Sequence, residues 1–464
     1  MTRNYSLTKE MDWTLFGLYL IMVVLGIGNI YSASYNEEAP FLLDFTQNYG
    51  KQTMFFGISL FLGFIIFLLD SNFIRKSTGI IYGVVLAMLI MVLFTTPING
   101  ARSWFGVGGF GIQPSEFAKI STALALSAYV SKVNIKLQDK KSVLIANLIM
   151  LLPMVFIALQ PDAGTLVVFT SFLFVLYREG ITYDPLIVFI INQFPGVRIK
   201  KTIIGSNFIP ILFVVIFLSV TTLLINENEV MIPFTYIPLK GVNIILFIFA
   251  VLTILFVLFV QRFIAKRERS KLLALGIVSA VLLSVLVFFV DFAFDKLKEH
   301  QKDRIELVLG LKEDPHGKDY NRFRAMSAVG SGGFSGKGYK EATLASPRSN
   351  HVPEQETDFI FCTLSEEWGF LGSITIVTIF MAFLIKTIMI AERQRSVYNR
   401  IYAYSVAMIF FFHFSINIGM NIGLVPVIGI PLPFFSYGGS SLLSFSIMVF
   451  ILLKLDSERK EILR

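Results

Sequence analysis

Cysteine is almost absent from this sequence. Cys362 is the single one in 464 residues, so no intrachain disulfide can form and thiols do not report a redox compartment. Charge is scarce as well: Asp, Glu, Lys and Arg make up 16% of the chain, against 55% hydrophobic residues. A soluble chain of this length would divide into domains of ~100–200 residues, and this composition rejects that reading. Nucleotide-binding signatures are missing. In the glycine-rich stretch Gly330–Gly338, Ser331 stands where a P-loop needs its first Gly and Gly338 where it needs Ser or Thr, and the G-x-G-x-x-G pattern fails too. The polar/apolar alternation of a membrane β-barrel is lacking, and no internal repeat is evident.

Long apolar blocks are what the sequence does have. A run of about 18 or more apolar residues can span a hydrocarbon core of ~30 Å. Twelve such blocks lie near 13–33, 52–70, 78–96, 115–131, 143–160, 163–177, 207–225, 242–260, 272–292, 359–385, 402–422 and 438–453. The fifth and sixth are joined by Gln160–Gly164, a tight turn, and 183–194 is short enough to read as interfacial. The expected fold is an all-α integral membrane protein, a polytopic helical bundle of about twelve spans forming one domain over 1–464. The first block is long for a cleavable signal and reads as a retained helix.

Lys and Arg set the orientation. With the N-terminus inside, every inside segment carries at least two cations and every short outside loop at most one. The long outside loop 293–357 carries 11, and long loops escape the rule. Both termini are thus expected on the cytoplasmic side. The formal charge of +8 is an orientation signal and does not imply a nucleic-acid partner.

Five outside segments carry chemistry. Arg102-Ser-Trp104 precedes Gln113-Pro-Ser-Glu116-Phe-Ala-Lys119, where Pro114 starts a helix and Glu116 and Lys119 share a face. Charges within a span face a bundle interior or a water cavity, so the pair is either a structural ion pair or part of a site. Gln160-Pro-Asp162-Ala-Gly164-Thr165 reads first as a turn in which Asp162 caps the next helix. The glycine stretch 330–338 reads as a loop whose exposed amides can receive an anion. His351-Val-Pro-Glu354-Gln-Glu356-Thr-Asp358 brings three carboxylates to the edge of a span, with either capping or catalysis as their task. His351, Glu354 and Asp358 offer some ligands for a divalent cation such as Mg or Mn, at a spacing that diagnoses none. Finally, Asn417–Ser441 holds so many Gly and Pro that the helix must break at membrane depth. Such backbone survives only when buried in protein or lining a cavity.

In this order and at these topological positions, QPSEFAK, QPDAGT, DPHG, GSGGFSGKG, PEQETDFIF with EEWGFLG, and PVIGIPLPFFSYGGSS closely resemble the SEDS family. These are the RodA/FtsW membrane proteins of bacterial cell-wall synthesis, and PVIGIPLPFFSYGG looks more like the RodA branch. The resemblance covers nearly all of the chain except roughly 181–271. It implies a ten-helix core, so an extra hairpin is expected within 200–271. It further implies a peptidoglycan glycosyltransferase of the bacterial cytoplasmic membrane that polymerises lipid II, the undecaprenyl-pyrophosphate-linked disaccharide-peptide, on the outer face during cell elongation. A class B penicillin-binding protein and elongation-complex membrane proteins would be partners. The family's catalytic aspartate lands on Asp358, and its sensitive Trp, Glu and Lys land on Trp104, Glu116 and Lys119. Arg102, Arg322, Arg324 and Arg348 are further candidates for pyrophosphate contact. The chain departs from the family at Glu356, often His; at Arg324, often Gln; and at Ala342-Thr343-Leu344, usually Gly-Thr-Gln. Rival readings are a lipid II flippase, a division-type paralogue, and a scaffold for the penicillin-binding protein.

Overall fold

The structure is a computed structural model and describes residues 11–35, 41–97, 102–107, 110–193, 197–226, 241–296, 299, 302, 320–347 and 351–459. Arg348, the DPHG motif and most of the outside loop before Tyr320 lie outside these residues.

The helices in order are α1 Trp13–Ala33, α2 Asn48–Leu68, α3 Ser71–Met91, α4 Pro114–Val130, α5 Lys140–Leu159, α6 Ala163–Phe169, α7 Ser171–Arg178, α8 Asp184–Ile191, α9 Ile203–Ser206, α10 Phe208–Asn226, α11 Gly241–Phe263, α12 Lys266–Lys296, α13 Tyr320–Ser331, α14 Ile360–Glu392, α15 Val397–Asn421 and α16 Gly439–Ser457. Each expected apolar block coincides with a helix. Among the described residues nine helices are long and apolar enough to cross a membrane, and the chain is a multi-pass membrane protein. The segments 163–178 and 208–218 are shorter apolar helices. α4 spans 17 residues and is different in kind: Ser115, Glu116, Lys119, Ser121, Thr122 and Ser127 are all buried in it. It is a central helix, packed by α3, α15 and α16.

The described chain forms two compact units. The first holds residues 1–135, 145–175 and 315–464; the second holds 136–144 and 176–314. In the second, Asp184 accepts hydrogen bonds from Thr202 N and Oγ1 at 2.6 and 2.8 Å and from Ser206 Oγ at 2.6 Å, which closes α8 onto α9. Val215, Ile245 and Val287 pack α10, α11 and α12 together. α10 and α11 fall in the interval where the extra hairpin is expected.

Local chemistry sets the helix ends of the first unit. Asp12 caps α1 through Leu15 N, and Pro114 occupies the first turn of α4, where a missing N–H costs nothing. At one end of the unit Asp12 meets Lys386 and Arg393, and Arg393 also pairs with Asp456. At the other end lie the C-terminus of α1, the start of α14 and the irregular segment 422–438. A short antiparallel hairpin, β1 Phe105–Val107 and β2 Phe110–Ile112, precedes α4.

Candidate active site

The centre of the site is the turn 354–358 that leads into α14. Its backbone is tied on two sides. Tyr437 N donates to Glu356 O at 2.8 Å, and Ser436 Oγ donates to Thr357 O at 2.5 Å. From α15, Asn417 Nδ2 donates to Asp358 O at 2.9 Å. The main chain at Asp358 is therefore fixed, while its carboxylate accepts no hydrogen bond among the described residues. A Cβ on Gly429 would stand 3.4 Å from Asp358 Oδ2. Gly429 also has φ +71°, a backbone shape that favours glycine.

Burial pushes the Asp358 carboxyl up to about 7, and the neighbouring charges of Glu354 and Asp162 add to the effect. Among the described residues no cation offsets them. This is the pattern of a carboxylate tuned for proton transfer near neutral pH. Glu356 is also raised by burial, opposed by a hydrogen bond from Asn48 Nδ2 at 2.5 Å. The position where the family often has His thus carries an acid held by α2.

Asp162 does cap α6, through Thr165 N at 3.0 Å. Its second oxygen gathers Gln113 Nε2 at 2.9 Å, Ser115 Oγ at 3.2 Å and Thr165 Oγ1 at 2.8 Å. This carboxylate joins the hairpin's exit to the turn at 160–164. Gly164 lies beneath the segment 428–430: a Cβ there would meet the Ile428 and Gly429 carbonyls at 2.8 and 2.9 Å. Trp104 belongs to the same neighbourhood. Its ring covers the bare Cα of Gly111, where a Cβ would stand 2.8 Å from Cε3.

Glu116 and Lys119 are placed differently from a ligand contact. Both are buried, and Lys119 Nζ donates to Glu116 Oε1 and Oε2 at 2.9 Å each. The third partner of Nζ is His413 Nε2 at 2.8 Å. Ser444 Oγ donates to Glu116 Oε2 at 3.0 Å, and the Phe445 ring lies 4.8 Å from Nζ. An ammonium has three N–H donors, and all three are used. In this arrangement Lys119 has nothing left for a pyrophosphate, and the ion-pair reading accounts for the geometry. Arg102 is exposed and donates to Leu93 O at 3.2 Å; Arg324 donates to His351 O at 2.6 Å.

The glycine stretch corrects an expectation. Its amides do not present themselves to an anion. Gly336 N, Lys337 N and Gly338 N donate to Gly332 O, Glu366 O and Glu367 O at 2.9, 3.0 and 2.9 Å. The loop is docked on a kink in α14 at Gly369, φ +62°, where a Cβ would meet Gly336 N at 2.3 Å. Glu366 then gathers the following strand of loop. It accepts from Lys337 Nζ at 2.5 Å, Thr343 N at 2.9 Å, Leu344 N at 2.9 Å and Ala345 N at 2.6 Å. Most of these donors are backbone, so the unusual Ala342-Thr343-Leu344 keeps them whatever its side chains. Glu366→Gln would turn an acceptor-only group into one that points an NH2 at amide donors. We expect limited proteolysis to cut within 337–345 at least ten-fold faster in this variant than in the parent.

Among the described residues no three His, Cys, Asp or Glu side chains converge as metal ligands. His351, Glu354 and Asp358 do not form such a set.

Comparison with known proteins fits this arrangement. The family model of FtsW/RodA/SpoVE cell cycle proteins matches residues 12–231 and 250–461. The chain belongs to this family. It is 31% identical to "Peptidoglycan glycosyltransferase RodA" of Treponema pallidum over 97% of this chain and 98% of that protein. It is 25% identical to "Peptidoglycan glycosyltransferase MrdB" of Escherichia coli K12, over 82% of this chain and 78% of that one. Among solved structures, a chain of a peptidoglycan synthase complex that coordinates polymerization and crosslinking superposes with TM-score 0.61 at 23% identity, covering 97% of this chain and 99% of that one. Thermus thermophilus rod shape determining protein RodA superposes with TM-score 0.54 at 19% identity, covering 97% and 98%. The fold is the polytopic helical fold of the FtsW/RodA/SpoVE proteins.

The sequence named Asp358 and the broken segment but not what joins them. His413, Asn417 and Asn421 are spaced by four along α15, and that spacing on an apolar helix was the available signal.

Proposed function

We infer that this protein is a peptidoglycan glycosyltransferase of the elongation branch, which polymerises lipid II into glycan strands with Asp358 as general base. The observation that carries the role of Asp358 is its geometry: a backbone pinned from two sides, and a carboxylate that meets no hydrogen-bond donor among the described residues and is raised to about 7. Transfer requires a sugar hydroxyl to attack an anomeric carbon. The leaving group is a lipid pyrophosphate, a weak base that needs cationic stabilisation more than a proton. The hydroxyl needs its proton taken as the C–O bond forms, help worth roughly 10²–10⁴ in rate. Asp358 ionised takes that proton. Of the cationic candidates among the described residues, Arg102 is the exposed one and Arg324 has one N–H committed to His351 O; Arg348 stays a candidate from sequence.

Trp104 and the 160–164 turn are the proposed walls of the substrate cleft. Positive-inside counting puts this end of the bundle outside the cytoplasmic membrane, with both termini inside. The relative in the synthase complex supports a crosslinking partner, and we assign a class B penicillin-binding protein to that place.

Two measurements test this. Purified protein in detergent, supplied with lipid II and no bilayer, should make glycan polymer; a lipid II flippase would make none. The pH–rate profile should show an acidic limb centred near 7. The sign follows from the raised value: below it Asp358 is protonated and cannot act as a base, so the rate rises by about ten-fold between pH 6 and pH 8. A limb near 4 would remove Asp358 as the titrating base.

A further inference from the structure

The irregular segment 422–438 has little secondary structure to hold it, yet Gly429 lies against the Asp358 carboxylate. Ser436 and Tyr437 tie its far end to the turn 354–358 directly, and near Gly429 the ties come from α15. α15 carries three polar side chains at successive four-residue steps, and each is at least 98% buried: His413, Asn417 and Asn421. All three reach out from the helix to main-chain or side-chain partners on the two segments that form the site.

Asn417 Nδ2 is shared between Asp358 O at 2.9 Å and Ile430 O at 2.7 Å. Both partners are carbonyl oxygens, which only accept, so both amide hydrogens are committed. One side chain thus bridges the two residues that neighbour the site from opposite sides. Asn421 supports it: its Nδ2 lies 2.8 Å from Asn417 O and 3.4 Å from Asp358 O, and its Oδ1 accepts from Cys362 Sγ at 2.7 Å. His413 holds the next residue of the segment. Its Nδ1 faces Pro431 O at 3.1 Å, an acceptor, so Nδ1 carries the hydrogen and Nε2 accepts from Lys119. Lys119 is in turn anchored by Glu116.

We propose that His413, Asn417 and Asn421 form a positioning ladder that sets the distance between the Asp358 main chain and the broken segment. On this view Glu116 and Lys119 act on the reaction through His413, holding the segment at Pro431. The ladder takes no part in bond making. Its effect is to hold the base in attack geometry, where a displacement of about 1 Å can cost roughly 10² in rate. This rests on Asp358 being the base, as proposed above.

The test compares purified full-length variants in the detergent polymerisation assay, with melting temperatures recorded. Asn417→Ala should lower kcat by about 10²-fold and leave KM for lipid II within about three-fold of the parent. Asn399→Ala is the control. Asn399 is equally buried on the same helix but at the far end, bonded to Gln394 Oε1 and Leu455 O at 3.2 and 3.0 Å. It should lower the melting temperature without lowering kcat at a temperature where it stays folded. His413→Asn keeps an N–H donor for Pro431 O and should retain several times the kcat of His413→Ala. Parent-like kcat in Asn417→Ala would overturn the ladder, as would an equal loss of kcat in Asn399→Ala or equal kcat in the two His413 variants. Polymer made by Asp358→Asn would overturn the base assignment itself, which is a different result from any of these.

Discussion

Asp358→Asn will make no measurable glycan polymer from lipid II, and it will be at least as thermally stable as the parent. The two halves come from one fact. The carboxylate is pushed up to about 7 by burial and by the charges of Glu354 and Asp162. A raised carboxyl pKa in the folded state means that folding binds a proton between the unfolded value, ~4, and about 7. Over that window stability falls as pH rises, and above it the ionised carboxylate is a standing cost. Asn has nearly the same shape and no charge, so it removes that cost. It also removes the proposed base, and with it roughly 10²–10⁴ in rate. A variant that melts lower and makes no polymer would show a folding defect instead. Only inactivity together with intact or raised melting assigns the role to the carboxylate.

Lys119→Met will be among the most destabilising single substitutions in the molecule. It leaves the Glu116 carboxylate buried, with Ser444 Oγ at 3.0 Å as a remaining partner. Breaking a buried pair from one side costs about 3–5 kcal/mol, because an uncompensated charge remains. Replacing both partners by neutral groups is far cheaper. Glu116→Gln combined with Lys119→Met should therefore regain most of the lost melting temperature. The yield of folded protein from Glu116→Gln alone should drop as well. If Lys119 instead touched the pyrophosphate, Lys119→Met would keep its melting temperature and raise KM. Differential scanning fluorimetry beside a lipid II titration separates the two.

Much of the fold is legible in the sequence because hydropathy in a membrane chain is a strong signal. The long apolar blocks each coincide with a helix, and the Gly/Pro-dense stretch after Asn417 is irregular, as the failure of helix propensity there requires. What pattern reading cannot supply is partnership at distance. Lys119 and His413 are 294 positions apart, and nothing in either neighbourhood names the other. The glycine loop was misread for a related reason. The Lys337 and Gly338 amides are consumed by the main-chain carbonyls of Glu366 and Glu367, and the Gly336 amide by Gly332 O. The hairpin before α4 escaped because strands of three residues carry almost no periodicity. Asp358 was found by resemblance. Its carboxylate-rich surroundings allow capping as well as catalysis, and the ties described in this turn use its main-chain groups.

Part of the surface that faces Asp358 is main chain. Gly429 lies against the carboxylate, and its carbonyl and that of Ile428 close over Gly164. Selection acts on side chains and cannot edit a peptide group. An inhibitor that took its contacts from these peptide groups would press on atoms that no point substitution alters directly, and one that also held the Asp358 carboxylate would add a group that the proposed reaction needs. Replacing Gly429 or Gly164 to push it out would strain or overfill the same turn the enzyme needs. Escape from such a compound would have to come by way of uptake, expression or a second wall-building enzyme.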